Sequence, residues 1–309
     1  MKLLFNYVIR RILYGLLIIF GVMTIVFFVI RILPGDPAIA ALGENATDKA
    51  IEMLREKWGL NMPLWQQYKN YLFNIFHGDF GYSYSTRKSV AELIKYSYPF
   101  TIELGLASFF LAIIIGIPLG VITALKRNLM ADYIGRGLSL LGISTPGFYL
   151  GILLMMFFSL RLHIFPSMGA GSISQLILPA FANGIGIAAY LTRLTRSSML
   201  NVLRELYITT ARSKGIPERL VIYKHALRNT LVTVITFLGV YTIVLLGGTV
   251  IIETVFSRPG LGRLIVASAL QRDYMLLQGI MLVYALIVVF INIITDIVYA
   301  FVDPRIRLI

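Results

Sequence analysis

Five long stretches of this chain carry no charge at all: Ile12–Ile30, Leu104–Leu125, Gly137–Leu160, Asn229–Ile252 and Tyr274–Thr295. Each is about long enough to cross a hydrocarbon layer of roughly 30 Å as a helix. Backbone groups inside a bilayer find no water, so a lone apolar segment must satisfy them internally, which a helix does. A sixth stretch, about Leu176–Thr192, is diluted by Asn183, Gly184 and Gly186. An even number of crossings is required if both termini share a side, so it is read as a span. The expected fold class is an all-α polytopic membrane protein with six transmembrane helices, one transmembrane domain over residues 1–309. Only 14% of the residues are charged, against about a quarter in a soluble domain.

Lysine and arginine set the orientation, because short cytoplasmic loops retain them. With the N-terminus inside, the cytoplasmic side holds Lys2, Arg10, Arg11, Lys126, Arg127, Arg136, the eight basic residues from Arg193 to Arg228, Arg305 and Arg307. Outside the long loop 34–99, the opposite side holds Arg31, Arg161, Arg258, Arg263 and Arg272. The formal net charge of +13 is therefore a topology signal and implies no nucleic-acid partner; the solvent is membrane lipid. The N-terminus begins like a signal sequence, but its apolar part is too long and Leu33-Pro34-Gly35-Asp36 is no cleavage site. It is read as a retained helix in the cell membrane of a prokaryote, with both termini cytoplasmic. The chain has no cysteine, so disulfides and thiolate metal sites are excluded. His77, His163 and His225 fall on different segments, and no metal site is expected.

The most basic stretch, Asn201–Leu231, lies between two apolar segments. Leu203, Leu206, Tyr207 and Thr210–Ala211 recur at helical spacing, and Leu220, Tyr223 and Leu227 follow on a second helix. Gly215 suits the left-handed position that ends the first helix, and Pro217 the first turn of the next. A helix–Gly–helix in a loop of a membrane protein reads as a docking element; the alternative is a basic loop that only obeys topology. In the outer loop, Thr47 or Asp48 caps a helix ending at Gly59, and Pro63 opens another that closes at Gly78. Ser89-Val90-Ala91-Glu92 is a capping box for a third, leading to Pro99. Gly116 and Gly120 permit close helix contact. Ser144-Thr145-Pro146-Gly147 interrupts the third apolar stretch, predicting a kink or short unwound segment whose freed carbonyls Ser144 and Thr145 can bond. Such a place lines a substrate path or serves packing alone. Glu253, at the end of the fifth stretch, needs a partner, for which Arg258 and Arg263 are available.

Several of these strings resemble the permease subunits of ABC importers, in the form used by the oligopeptide, dipeptide and nickel group. Thr209-Thr210-Ala211-Arg212-Ser213-Lys214-Gly215 is similar to the family's Glu-Ala-Ala-x-x-x-Gly loop, with Ala211 and Gly215 matching and Thr209 and Thr210 departing. Gly35-Asp36-Pro37, Gly59-Leu60 with Pro63-Leu64, Gln67-Tyr68 and Gly78-Asp79-Phe80-Gly81 with Ser83 resemble its outer loop. Glu253–Gly262 with Arg272-Asp273-Tyr274 and Gln278-Gly279 resembles its re-entrant outer loop, and Asn292, Asp296 and Asp303–Arg307 its C-terminal end. The resemblance implies the first permease of such a system and a type I importer fold. It makes 193–230 the cytoplasmic coupling loop, with Glu205, Thr209, Thr210, Ala211, Arg212, Lys214 and Gly215 meeting the ATPase. Residues 253–275 become the outer re-entrant loop, with Glu253, Phe256, Pro259, Gly260 and Gly262 at the gate; Ser144, Thr145 and Pro146 stay the candidate kink in the path. The implied partners are a second homologous permease, two ATP-binding subunits and an extracytoplasmic substrate-binding protein.

No Gly-x-x-x-x-Gly-Lys-Ser/Thr loop occurs; the chain has no Gly-Lys dipeptide, so a phosphate loop of that kind is excluded. Neither a catalytic dyad nor a zinc-protease motif is found, and the chain is read as no enzyme, holding no cofactor of its own, with ATP and Mg on its partners. The expected function is passage of di- or oligopeptides delivered by the binding protein. The alternatives are a nickel or metal-chelate importer of the same build and an ion-coupled secondary transporter. The last would show inverted repeats and midplane carboxylates.

Overall fold

The computed structural model describes residues 2–32, 35–43 and 46–302, with side chains between 9 and 298. Leu33–Pro34 and the Asp303–Arg307 tail lie outside the described residues. The chain opens with α1 (Lys2–Ile32), followed by α2 (Pro37–Leu42), α3 (Asp48–Lys57), α4 (Leu64–Phe76) and a two-residue hairpin, β1 (Tyr82–Ser83) with β2 (Lys88–Ser89). Then come α5 (Val90–Leu125), α6 (Met130–Ser144), α7 (Gly147–Leu154) with a π-helical turn to Arg161, and α8 (Ile173–Val202). The remainder is α9 (Leu206–Ser213), α10 (Glu218–Leu220), a π-helical turn at Val221–Ala226, α11 (Leu227–Val255), α12 (Leu261–Leu270) and α13 (Tyr274–Val302).

Five of these helices are long and apolar enough to cross a membrane: α1, α5, α8, the run from α10 through α11, and α13. Helices α6 and α7, bent by 103° at their junction, are together long and apolar enough to bring the number of spans to six if the pair is one crossing. One expectation changes here. The capping-box helix before Pro99 is no separate element, since α5 starts at Val90 and runs through Pro99 to Leu125. At Ser144–Gly147 the chain takes the unwound alternative, because Thr145 (ψ 119) and Pro146 (ψ 134) both leave helical geometry.

The contacts divide the chain into two compact units. In the unit of residues 9–101 and 259–290, α4 lays Tyr68 and Tyr71 against Phe27 of α1, with ring centroids 5.1 and 5.4 Å apart. Arg31 covers the other side of Phe27, 3.6 Å from its centroid, and its Nε donates to Gln67 Oε1 at 2.9 Å. The core is Val90, Ile94, Leu261, Leu276 and Ile280. A Cβ at Gly279 would come 2.5 Å from Val90 Cγ1, so α13 meets α5 there only as glycine. Asp273, fully buried, caps α13 by accepting the Leu276 N–H at 3.2 Å, while its other oxygen accepts Ser83 Oγ at 2.6 Å and Ser85 Oγ at 2.8 Å. Burial pushes the nearby Tyr84 phenol up to about 12.

In the unit of residues 102–258 with the chain ends, α8 is the centre. Of its apolar window 44% is buried, against 17% in α1 and α13. The residues that made this span look weak explain its position. Gly and Ala let backbones approach closely, and in lipid that packing replaces the hydrophobic drive between helices. A Cβ at Gly116 of α5 would sit 2.7 Å from Leu191 Cβ, and one at Gly120 2.5 Å from Thr195 Cβ. On the α6 side, a Cβ at Gly142 would be 2.9 Å from Ala189 Cβ.

Candidate functional site

The basic stretch is built as predicted in outline and differently in detail. Helix α9 begins after Glu205, whose backbone is extended and whose side chain makes no capping bond. It stops at Lys214 and Gly215, where φ is +74°. The Gly215 N–H bonds Arg212 O at 2.9 Å and the Ile216 N–H bonds Ala211 O at 3.3 Å. This pair of bonds is a complete Schellman stop, and its left-handed residue explains the glycine. Pro217 (ψ 135) sits one residue earlier than predicted, as the cap of α10.

The packed face of α9 is not the stripe the periodicity suggested. Ile208 and Ala211 enter a core with Val121, Ala124, Met199, Val221 and Ala226. Leu206 is 83% exposed, and Tyr207, Thr209, Thr210, Arg212 and Lys214 also face outward, as do Leu220 and Tyr223 further on. Periodicity finds an apolar stripe without saying which neighbour takes it. Arg212 ties the turn together: its Nη2 and Nε meet the Glu218 carboxylate at 2.7 and 3.1 Å. That carboxylate holds the Arg212 guanidinium above its ordinary value. Asn229 Nδ2 donates to Tyr207 Oη at 2.6 Å, fastening α9 to α11.

Sequence reasoning also missed a buried ion pair in this unit. Asp132, in the first turn of α6, has no exposed surface. It accepts Arg196 Nε at 2.7 Å and Nη2 at 2.8 Å from α8, and the Asn128 N–H at 3.0 Å. The two partners are 64 positions apart in the chain, and no local pattern connects them.

At the break between α6 and α7 a cavity of about 360 Å³ opens, lined by Thr145, Pro146, Asn183, Gly186, Tyr190, Tyr241 and Gly248 among others. Thr145 and Pro146 thus face it; Ser144 is not on its wall. Among the described residues neither Ser144 nor Thr145 bonds a freed carbonyl through its side chain, contrary to expectation. Their place is taken by backbone geometry: the Thr145 N–H closes α6 on Leu141 O at 3.0 Å, and the Leu150 N–H opens α7 on Pro146 O at 3.0 Å. Asn183, also unforeseen, donates through Nδ2 to Ser108 Oγ at 3.2 Å and Leu245 O at 3.5 Å. Tyr241 stacks on Phe237 at 4.0 Å and lies 5.5 Å from Tyr190.

The Glu253–Gly262 string divides between the units. In the unit of residues 102–258, Glu253 is fully buried in the last turn of α11, and Phe256 packs with Leu104, Leu178, Ala180, Ala182 and Ile252. Arg258 is fully buried; its Nη2 meets Glu103 at 2.7 Å and its Nη1 donates to Gln175 O at 3.3 Å. The ion-pair partner found for Arg258 is therefore Glu103, a residue the sequence left without a role. In the unit of residues 9–101 and 259–290, Pro259, Gly260 and Arg263 line a cleft of about 550 Å³ with Lys88, Glu92 and Tyr96. Gly260 caps α12, Gly262 is buried behind it, and the Leu261 N–H bonds Thr101 Oγ1 at 2.8 Å.

A bundle of apolar spans, a short helix presented on a packed loop and a cavity at a broken span define a class: the membrane-embedded permease of a transporter. Residues 116–308 match the family described as Binding-protein-dependent transport system inner membrane component, and residues 4–105 match its N-terminal membrane component. The chain belongs to this family and is an ABC importer permease. It is 41% identical over 302 residues to the glutathione transport system permease protein GsiC of Escherichia coli K12, covering 98% of this chain and 99% of that one. The same protein of Pectobacterium atrosepticum is 41% identical with equal coverage. Among solved structures, the inward-facing MetNI methionine ABC transporter superposes with a TM-score of 0.59 at 17% identity, covering 69% of this chain and 97% of that one. An amino acid ABC transporter with histidines gives 0.52 at 16%, covering 68% and 94%. These two likenesses concern the fold.

Proposed function

We propose that this permease passes small peptides, delivered by an extracytoplasmic binding protein, and that α9 is the lever through which a separate ATPase drives it. One observation carries the coupling role. The helix plants Ile208 and Ala211 in the core of its own unit while Leu206, Tyr207, Arg212 and Lys214 point away. With Leu220 and Tyr223, Leu206 and Tyr207 leave four large apolar or aromatic side chains exposed on one short loop, and exposed apolar surface gathered in one place marks a contact site for another protein. In this reading residues 193–230 are the cytoplasmic coupling loop, 34–99 the extracytoplasmic helical loop and 253–275 the outer re-entrant loop. Glu205, Thr209, Thr210 and Gly215 join the docking surface. Glu253, Phe256, Pro259, Gly260 and Gly262 shape the outer gate, and Thr145 and Pro146 the path. Both termini are cytoplasmic.

The full complex contains a second homologous permease and two ATP-binding subunits, which hold the ATP and Mg. Substrate class follows the relatives: the glutathione permease shares 41% of this sequence over nearly its whole length, and a tripeptide is the solute its name prints. A nickel or metal-chelate solute is the rival. The deciding experiment for the lever replaces Gly215 with valine. A Cβ there meets nothing within 4 Å, so the substitution acts through backbone strain of about 1–2 kcal/mol and distorts the stop without a clash. Peptide uptake into vesicles should fall at least tenfold, and Leu206→Asp should reduce co-purification of the ATPase. Unchanged uptake and unchanged recruitment in both variants would refute the docking role.

A further inference from the structure

We propose that the cavity at the broken span is a transient station for the solute and that it reads the peptide main chain through neutral groups. The inference rests on the chain being a peptide permease and goes on to say where, and by what chemistry, the solute is held. The cavity's volume of about 360 Å³ falls in the usual range of small-ligand sites, about 300–1,000 Å³. Its wall comes from α6–α7, α8 and α11, and lies well inside each of the last two.

Gly147, Gly186 and Gly248 stand in the cavity wall and put no side chain into the space. A Cβ at Gly248 would come 2.6 Å from Asn183 Oδ1, so the amide oxygen lies directly over that bare backbone. The amide nitrogen of Asn183 is spent on Ser108 and Leu245, which fixes the plane of the group and leaves the oxygen as the acceptor on the Gly248 side. Tyr190 and Tyr241 stand beside it, their rings held by the stack on Phe237. An amide acceptor, two phenols and the Thr145 hydroxyl suit a solute that brings its own amides. A main-chain N–H satisfies Asn183 Oδ1, and the phenols answer carbonyls. Neutral bonds of this kind are individually weak, as a passage point requires, since a solute must enter it and leave it.

Gly186 offers a clean test. A Cβ there meets only Gly142 O, at 3.7 Å, so Gly186→Leu places its branch in the cavity without displacing a neighbour at the first atom. Gly247 of α11, where a Cβ meets nothing within 4 Å, serves as control. The complete transporter, reconstituted in vesicles with its binding protein, is assayed with a tripeptide. Gly186→Leu should lower uptake at least tenfold while ATP hydrolysis stimulated by the loaded binding protein persists; Gly247→Leu should leave both unchanged. Wild-type uptake by Gly186→Leu overturns the station. If that variant fails to assemble, Asn183→Ser decides. The ratio of uptake for a tripeptide over its N-methylated analogue should narrow by up to about tenfold, the size of one neutral hydrogen bond, and an unchanged ratio overturns the proposal. Failure of the underlying reading looks different: the wild-type complex then takes up no tripeptide at all.

Discussion

At Asp132 a carboxylate with no exposed surface is gripped by two nitrogens of Arg196 and one backbone N–H. Removing one member of a buried pair strands the other charge, which costs about 3–5 kcal/mol. Arg196 keeps 20% of its side chain exposed, which places the expected loss for Asp132→Ala near the lower end of that range. Thermal unfolding of the purified complex in detergent measures it, and Asp132→Leu combined with Arg196→Met should recover most of the loss. The bridge also has a mechanical consequence. It joins the start of α6 to α8, so under the proposed coupling role a push on α9 would be shared with the helix that ends at the break.

Among the elements, α8 decides the architecture of its unit by being small rather than by being greasy. Its contact with α5 depends on Gly116 and Gly120, where a Cβ would lie 2.7 and 2.5 Å from atoms of Leu191 and Thr195. Gly120→Leu should therefore force the two helices apart and abolish accumulation of the folded permease in the membrane. Gly21→Leu in α1, where a Cβ meets nothing within 4 Å, should leave accumulation unchanged; quantitative immunoblotting of membranes reads both. The break between α6 and α7 belongs to this scale as well. Proline at 146 removes an N–H donor and disfavours helical backbone at the residue before it, and Thr145 is found extended accordingly.

For the whole molecule the testable statement is orientation. The chain contains no cysteine, so a single one can be introduced and labelled without background. Thr209→Cys, on the exposed face of α9, should react with a membrane-impermeant maleimide only in inverted vesicles. Lys69→Cys, exposed on α4, should react only from outside intact cells. Labelling of Thr209→Cys from the outside would reverse the topology and remove α9 from any contact with a cytoplasmic ATPase.

Much of this molecule was determined along the chain itself. Apolar length set the spans, lysine and arginine placement the expected orientation, and glycine the stops at 59, 78 and 215, because each depends on one residue's own backbone or on a run of neighbours in sequence. The helix–Gly–helix was legible for the same reason: a left-handed Gly215 between two short helices is a local fact. What only the tertiary structure decided are the pairings and the faces. Nothing in sequence says that Asp132 takes Arg196 or that Glu103 takes Arg258, since a charge chooses whichever partner the fold brings within 3 Å. Nor does periodicity reveal that Ile208 and Ala211 turn inward while Leu206 turns out, or that Asn183 and Tyr190 of α8 share a cavity with Tyr241 of α11 and Thr145 at the break. Such outcomes depend on which helices pack against which, and that follows from the summed contacts of segments far apart in the chain.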